Sequence, residues 1–228
     1  MKRKLVISTG AGISAESGIS TFRDSGGLWE QYDVMDVASA DGFRRNPELI
    51  HRFYNARRRQ LGEVEPNAAH RGLVELEKDY EVWIITQNVD DLHERAGSSN
   101  VMHLHGELTK VRAIDDDTRV WKLQSYDTET SPDTVIEGHH VRPHIVFFQE
   151  AVPMIEPAAE LVSRADVFAV IGTSLQVYPA AGLLQCVRPG TPVYYIDLHP
   201  AAVPAGVTVI KATASEGVAR LAQLLKDK

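Results

Sequence analysis

The apolar positions of this chain fall into short runs that end in small or polar residues. Leu5–Thr9, Val82–Thr86, Ile145–Phe148, Val167–Ile171, Val193–Leu198 and Val207–Ile210 are rich in β-branched residues, and most are apolar throughout rather than alternating. Strands buried on both faces have this pattern, so the runs predict a parallel sheet covered on both sides. Helical patterns lie between them at Pro47–Leu61, Asn67–Leu76, Pro157–Ser163, Pro179–Val187 and Ser215–Lys226. The first opens on proline and ends rich in arginine, as helix termini favour. Strand and helix in alternation predict a doubly wound, Rossmann-like α/β domain.

Thr109–Arg142 breaks the rhythm. Ile114–Thr118, with its aspartate run, and Ser131–Thr134 are turn-like, and short candidate strands lie at Val111–Ile114 and Arg119–Leu123. Residues 109–142 therefore read as a small domain inserted between 1–108 and 143–228. Asp115, Asp116 and Asp117 could hold a cation or cap a solvated hairpin turn; no ligand spacing marks the first.

Composition narrows the function classes. Hydrophobic residues make up 43% and charged residues 24% of the 228, as in ordinary globular proteins. No run approaches the roughly 18 apolar residues of a membrane helix. The apolar stretch after Met1–Lys4 is too short for a signal peptide. A cytoplasmic protein without a membrane partner is the expectation. A net charge of -7 leaves no basic surplus for nucleic acid. The single cysteine, Cys186, excludes both an intramolecular disulfide and a thiolate zinc cluster. It lies in an apolar helical run and reads as a buried structural thiol rather than a nucleophile.

Three polar strings stand out. Gly10-Ala11-Gly12-Ile13-Ser14-Ala15 follows a predicted strand and matches G-x-G-x-x-A. Its glycines would let backbone approach a pyrophosphate, with a following helix N-terminus presenting N–H groups; a tight turn closing the strand is the alternative. The acidic residue that usually follows about 20 positions on is missing, since Arg23–Glu30 reads as a loop, so a dinucleotide would not be held as in dehydrogenases. Thr86–His93 follows another strand, where polar side chains face the crevice of an α/β sheet, although Asn88 or Asp90 could equally cap a helix. His103 and His105 would share one face of a strand. Metal ligation, a structural role and general-base chemistry are all open to such a pair.

Longer strings carry a family resemblance. Gly10 to Asp24, followed by Gly27-Leu28-Trp29, resembles the sirtuin signature. Gln87-Asn88-Val89-Asp90, His105-Gly106-Glu107-Leu108 and Gly172 to Ala181 resemble further motifs of that family. The resemblance implies an NAD-dependent removal of acyl groups from protein lysines. It places Gly10, Ala11, Gly12, Ile13, Glu16, Ser17, Thr21, Phe22, Arg23 and Trp29 around the phosphates and nicotinamide ribose. Phe22 would shield the reacting centre and Arg23 would meet phosphate. Gln87 would contact the nicotinamide ribose, Asn88 would order water and ribose hydroxyls, and Asp90 would bind the carboxamide with backbone near Val89. Gly172, Thr173, Ser174 and Val177 would hold phosphate and the adenine ribose, with Asp197, Leu198 and Ala214 around the adenosine. His105 would be the base, acting through the ribose hydroxyls after nicotinamide leaves. His103 would be structural, and His93 and Glu94 would form an exposed helix face.

The same resemblance implies that peptide adds as a strand near Val146 and Phe147. The chain departs from the family at Gln149, where glycine is usual, and at Asp197, where asparagine is usual. Tyr54 and Arg57 share one helix face, and arginine binds carboxylates bidentately. As bare residues they could be a basic face beside a core aromatic; in sirtuins such a pair marks members that remove malonyl and succinyl groups. Sirtuins usually carry four zinc cysteines in the small domain. Residues 109–142 contain none, with Ala113 where the first normally stands, and His139 and His140 are too few to replace them. No zinc is expected, and the small domain should hold by its own strands and apolar contacts. An NAD glycohydrolase or mono-ADP-ribosyltransferase using the same site is the alternative activity, and a non-catalytic NAD-binding module is a third reading. A monomer is expected, although the sequence does not set the oligomeric state.

Overall fold

The computed structural model describes residues 2–20 and 32–226. In chain order its strands are β1 (Arg3–Thr9), β2 (Tyr80–Thr86), β3 (Val101–His103), β4 (Gly106–Ala113), β5 (Val120–Lys122), β6 (Val135–Ile136), β7 (His139–Ile145), β8 (Val167–Ile171), β9 (Val193–Asp197) and β10 (Val207–Lys211). The α-helices are α1 (Val34–Val37), α2 (Ala40–Arg45), α3 (Pro47–Glu63), α4 (Ala68–Leu76), α5 (Leu92–Ala96), α6 (Ile155–Ser163) and α7 (Ala214–Lys226). No described helix is long and apolar enough to cross a membrane.

Six strands form one parallel sheet in the order β10-β9-β8-β1-β2-β3. Both of its faces are buried, which is why its strands lack polar alternation. Leu5 and Ile7 of β1 pack with Ile84, Ala169 and Ile196 beneath Leu73 of α4 and Leu221 of α7. Val6 points the other way, into Ile85, Phe168, Val170 and Tyr195 beneath Val162 of α6. Helix starts follow their caps. Asn46 accepts from the Leu49 N–H ahead of Pro47, and Asn67 and His70 exchange bonds in a capping box.

Two expectations need correction. The predicted strand Ile145–Phe148 begins where β7 ends; Val146 instead donates its N–H to His105, and Phe148 pairs in parallel with Ser39. Pro179–Val187 is not an α-helix but a 3₁₀ turn over Ala180–Cys186, with Gly182 at its centre lowering helical propensity. Helices α1 and α2, both short, have no clear period to reveal them, and β3 ends at His103, so His105 lies outside the strand that the two histidines were expected to share.

The smaller sheet is antiparallel, in the order β5-β4-β7-β6. Among the described residues no group of three or more His, Cys, Asp or Glu side chains is placed to hold a metal ion. Its long loop is tied down by a buried polar row on α3. Asn55 donates to the Thr130 carbonyl at 2.8 Å and accepts from the Thr130 N–H at 3.2 Å. Arg58 donates to the carbonyls of Thr128 (2.5 Å) and Leu108 (3.3 Å) and to Asn55 Oδ1 (2.5 Å). His51 Nδ1 lies 2.9 Å from the Thr130 hydroxyl. This set of hydrogen bonds orders the loop from outside, where strands and apolar contacts alone were expected to suffice. Asn55→Ala should lower the unfolding free energy by about 2–4 kcal/mol, because Arg58 and Thr130 lose buried partners. Urea titration measures this, and adding EDTA to the wild type should leave its midpoint unchanged; a midpoint lowered by EDTA would overturn the metal-free account.

Candidate functional site

The crevice opens where β1 and β8 part, at the carboxyl end of the parallel sheet. The chain leaves these neighbours in opposite directions, which is where α/β sheets bind ligands. Gly10 donates its N–H to the Ile171 carbonyl at 3.0 Å, and Gly12 donates to the Gly172 carbonyl at 2.8 Å. The turns after the two strands thus lie backbone on backbone. A Cβ on Gly12 would stand 2.7 Å from Gly172 Cα, and one on Gly172, whose φ is +64°, would stand 2.4 Å from the Ile13 nitrogen. This close approach requires glycine whatever ligand is bound. Beyond it the chain forms 3₁₀ turns at Ala11–Ile13 and Ala15–Ser17, ending at left-handed Gly18, in place of the expected α-helix.

A chain of buried hydrogen bonds lines one side. Asn88 Nδ2 lies 3.2 Å from both the Gly10 carbonyl and the Ser14 hydroxyl, and Ser14 donates to Asp90 Oδ2 at 3.0 Å. Asp90 Oδ1 also accepts from the Leu92 N–H at 3.1 Å, so it also holds the first residue of α5. Burial raises the Asp90 pKa, against the bonds from Leu92 and Ser14. Ser14 was not singled out by sequence; its signal was a hydroxyl inside a glycine-rich turn. Gln87 Nε2 donates to Thr173 Oγ1 at 3.3 Å, joining the two halves of the crevice, and the buried Tyr195 hydroxyl donates to the Thr173 carbonyl at 2.9 Å. Val89 accepts from the Leu108 N–H through its carbonyl.

The two candidate histidines part company. His103, at the end of β3, faces the Asn88 carbonyl with Nδ1 (3.0 Å) and Glu94 with Nε2 (2.8 Å). Both partners are acceptors, so both nitrogens donate and the ring favours its charged form. Burial lowers its pKa, but the bond and charge of Glu94 outweigh this and raise it. His105 lies past the strand, in a bend. Its Nδ1 donates to the Gln87 carbonyl at 3.0 Å, which leaves Nε2 as the nitrogen with a lone pair. Burial lowers its pKa, opposed by that bond, so the ring is neutral at pH 7. Of the pair, only His105 keeps a proton-accepting nitrogen.

His93 corrects an expectation. It is buried rather than exposed, with Nε2 at 3.1 Å from the Thr9 hydroxyl and its ring 4.9 Å from that of His70. Helix α5 turns this face inward onto β1; Glu94, as expected, is exposed.

Tyr54, Arg57 and Phe147 come together beside this crevice. The Tyr54 ring is 5.9 Å from that of Phe147, and Arg57 Cζ lies 6.0 Å from the Tyr54 ring. Burial pushes the Tyr54 pKa up to about 12, so the hydroxyl stays a donor. Burial lowers that of Arg57, opposed by the charges of Tyr54 and Asp90. Val146 donates its N–H to the His105 carbonyl at 2.9 Å, linking this region to that residue. At the far end, Glu16 accepts from the Ser215 N–H at 2.9 Å beside buried Ala214, and Ser17 accepts from Asn67 at 3.0 Å. Asp197 accepts from the His199 N–H at 2.8 Å. Ser174 is half-buried, and Val177 and Leu198 are exposed. Thr21, Phe22, Arg23 and Trp29 lie outside the described residues.

Residues 10–179 match the Sir2 family. An NAD-dependent protein deacylase of Bacteroides thetaiotaomicron is 53% identical over 230 residues, covering 98% of both chains. One of Helicobacter pylori strain 26695 is 55% identical over 195 residues, covering 86% of this chain and 84% of its own. Among solved structures, a Sir2 homologue complexed with NAD is 37% identical with a TM-score of 0.86, over 99% of this chain and 90% of its own. A substituted Sir2 homologue complexed with 2'-O-acetyl-ADP-ribose is 36% identical with a TM-score of 0.87, over 99% and 93%.

The buried histidines make stability depend on pH. Burial foremost lowers the pKa of His51 and of His70 to about 4, and that of His93 well below the ordinary value. A folded-state pKa lowered in this way gives stability that is present above the unfolded value of about 6.5 and is lost as pH falls toward 4. His51 and His70 each contribute on the order of 3 kcal/mol of that loss, offset in part by His103, which gains on protonation. Urea unfolding should show markedly lower stability at pH 5 than at pH 7.5, a window that mostly precedes carboxylate protonation; equal stabilities would refute it.

Proposed function

This chain belongs to the Sir2 family and catalyses NAD-dependent deacylation of protein lysines, and from that premise we propose which of its residues perform the reaction. His105 is the base. The observation that carries this assignment is the bond from its Nδ1 to the Gln87 carbonyl, which fixes the tautomer with Nε2 free to accept a proton. Its lowered pKa keeps it neutral at physiological pH. His103 braces Asn88 and Glu94 and does no proton transfer.

The residues at the crevice suit NAD. Gly10, Ala11, Gly12, Ile13, Gly172, Thr173 and Ser174 bring two backbone turns together, where pyrophosphate can approach the backbone without side chains in the way. Glu16 and Ser17 belong with the segment around the phosphates and nicotinamide ribose, and Val177, Asp197, Leu198 and Ala214 lie toward the adenosine. Gln87, Asn88, Val89 and Asp90 lie toward nicotinamide and its ribose, and the family signature assigns Thr21, Phe22, Arg23 and Trp29 to the same cofactor. Bound NAD supplies the ribose carbon that accepts the acyl oxygen and the nicotinamide that departs. The chain's residues orient that ribose, exclude water and take up the proton at His105 Nε2. Residues 1–108 and 143–228 form the NAD-binding domain, and 109–142 the small domain.

Val146 and Phe147 meet the acyl-lysine peptide. Tyr54 and Arg57 read the acyl group: a phenol that stays protonated and a partly buried guanidinium beside it suit a carboxylate-bearing acyl chain such as succinyl or malonyl. Mass spectrometry of reactions with NAD and acetyl- or succinyl-lysine peptides should find one nicotinamide and one acyl-ADP-ribose for each lysine freed. Nicotinamide released without peptide turnover would favour a glycohydrolase or ADP-ribosyltransferase. Tyr54→Phe with Arg57→Met should lower kcat/KM for succinyl-peptide about 100-fold while changing acetyl-peptide less than about threefold. Equal losses on both would remove the pair's role in acyl selection.

A further inference from the structure

Gln149 holds a left-handed backbone, φ +76°, which is unfavourable for a residue carrying a Cβ. Its side chain is engaged at both ends. Oε1 accepts from the Asp41 N–H at 3.1 Å, and Nε2 donates to Asp41 Oδ2 at 2.7 Å. Asp41 lies in the first turn of α2, where backbone N–H groups have no partner within the helix. Each of the first three finds one outside it. Ala40 donates to the Phe148 carbonyl at 3.1 Å, Asp41 to Gln149, and Gly42 to the Ser39 hydroxyl at 2.9 Å. Phe148 returns its own N–H to the Ala38 carbonyl at 2.8 Å. Two of the three caps of α2 therefore come from residues 148–149, directly after Val146 and Phe147. The other end of this segment is tied to the His105 carbonyl by Val146. On its inner side, Glu150 accepts from the Phe147 N–H at 2.8 Å and from Arg142 at 2.6 Å.

We propose that the Gln149–Asp41 pair positions the acyl-peptide edge, clamping residues 146–149 to α2 so that peptide meets a preformed backbone segment beside His105. This rests on the reading of Val146 and Phe147 as peptide contacts. Gln149 is a positioning residue: it acts by reducing the ordering that peptide binding would otherwise require. The pair is exposed, so its loss should move Tm little, and its effect should fall on peptide KM rather than on kcat or on NAD.

A charge-swap cycle tests this in the full chain. Q149E sets a carboxylate against that of Asp41. D41N takes an acceptor from the pair, leaving either Gln149 or Arg44 unsatisfied. Together they restore complementarity, because the new amide donates to the new carboxylate. Q149E should raise the acyl-peptide KM about tenfold with kcat and the NAD KM within about twofold, and Q149E/D41N should return the peptide KM to within about twofold of wild type. A wild-type peptide KM in Q149E, or a double variant as impaired as Q149E, would overturn the proposal. Hydrogen exchange separates the two layers. If acyl-peptide leaves exchange at residues 145–149 unchanged in the wild type, the peptide-contact reading fails and the proposal with it. If it slows exchange there while Q149E keeps the wild-type KM, the clamp alone is wrong.

Discussion

The backbone of Gly12 lies against the backbone of Gly172, and the rest of the site depends on that contact. It can form only where β1 and β8 are neighbours and parallel, so it follows from the strand order. No side chain fits at either position. With the turns this close, Gln87 reaches Thr173 across the crevice, and Ser14 comes within reach of both Asn88 and Asp90. The glycines usually read as making room for phosphate are thus first required by the protein's own packing. Any ligand that binds there meets a geometry that the sheet already imposes.

Around this contact, polar groups are buried and few are left to choose their own state. Ser14 accepts from Asn88 and donates to Asp90, so its hydroxyl direction is set by its neighbours. The histidines show the same logic with different outcomes. His103 faces two acceptors and becomes a brace, while His105 faces one and keeps a free lone pair. Two residues apart in sequence, they differ because the chain leaves β3 at His103 and bends at His105. The segment that begins at Val146 is secured at the same point, since Val146 donates to the His105 carbonyl. Movement of that segment would move His105.

Much of this was legible in the residues. The buried strands announced themselves as unbroken apolar runs, and Val167–Ile171 was read with the limits it has in the fold. The polar strings after β1, β2 and β8 do converge, as strand ends of a parallel sheet must. What stayed hidden were long-range partners. Nothing local marks His93 as buried, because its burial depends on α5 folding onto β1, and nothing local marks Ser14 as the link between Asn88 and Asp90. The run Ile145–Phe148 has strand composition, yet its last residues leave the sheet to cap α2, a choice decided by a helix a hundred positions away. The row of His51, Asn55 and Arg58 reads as an ordinary helix face until the loop at Thr128–Thr130 is seen against it.

That His105 acts as the base after nicotinamide has left is tested most directly by following two reactions of one variant. His105→Ala, supplied with NAD, acyl-lysine peptide and isotopically labelled nicotinamide, should still exchange label into NAD, because departure and return of nicotinamide do not need the base. Its formation of free lysine should fall by about 10²–10⁴-fold. Free lysine formed at the wild-type rate, or exchange lost in the same proportion as lysine formation, would contradict the role assigned to His105.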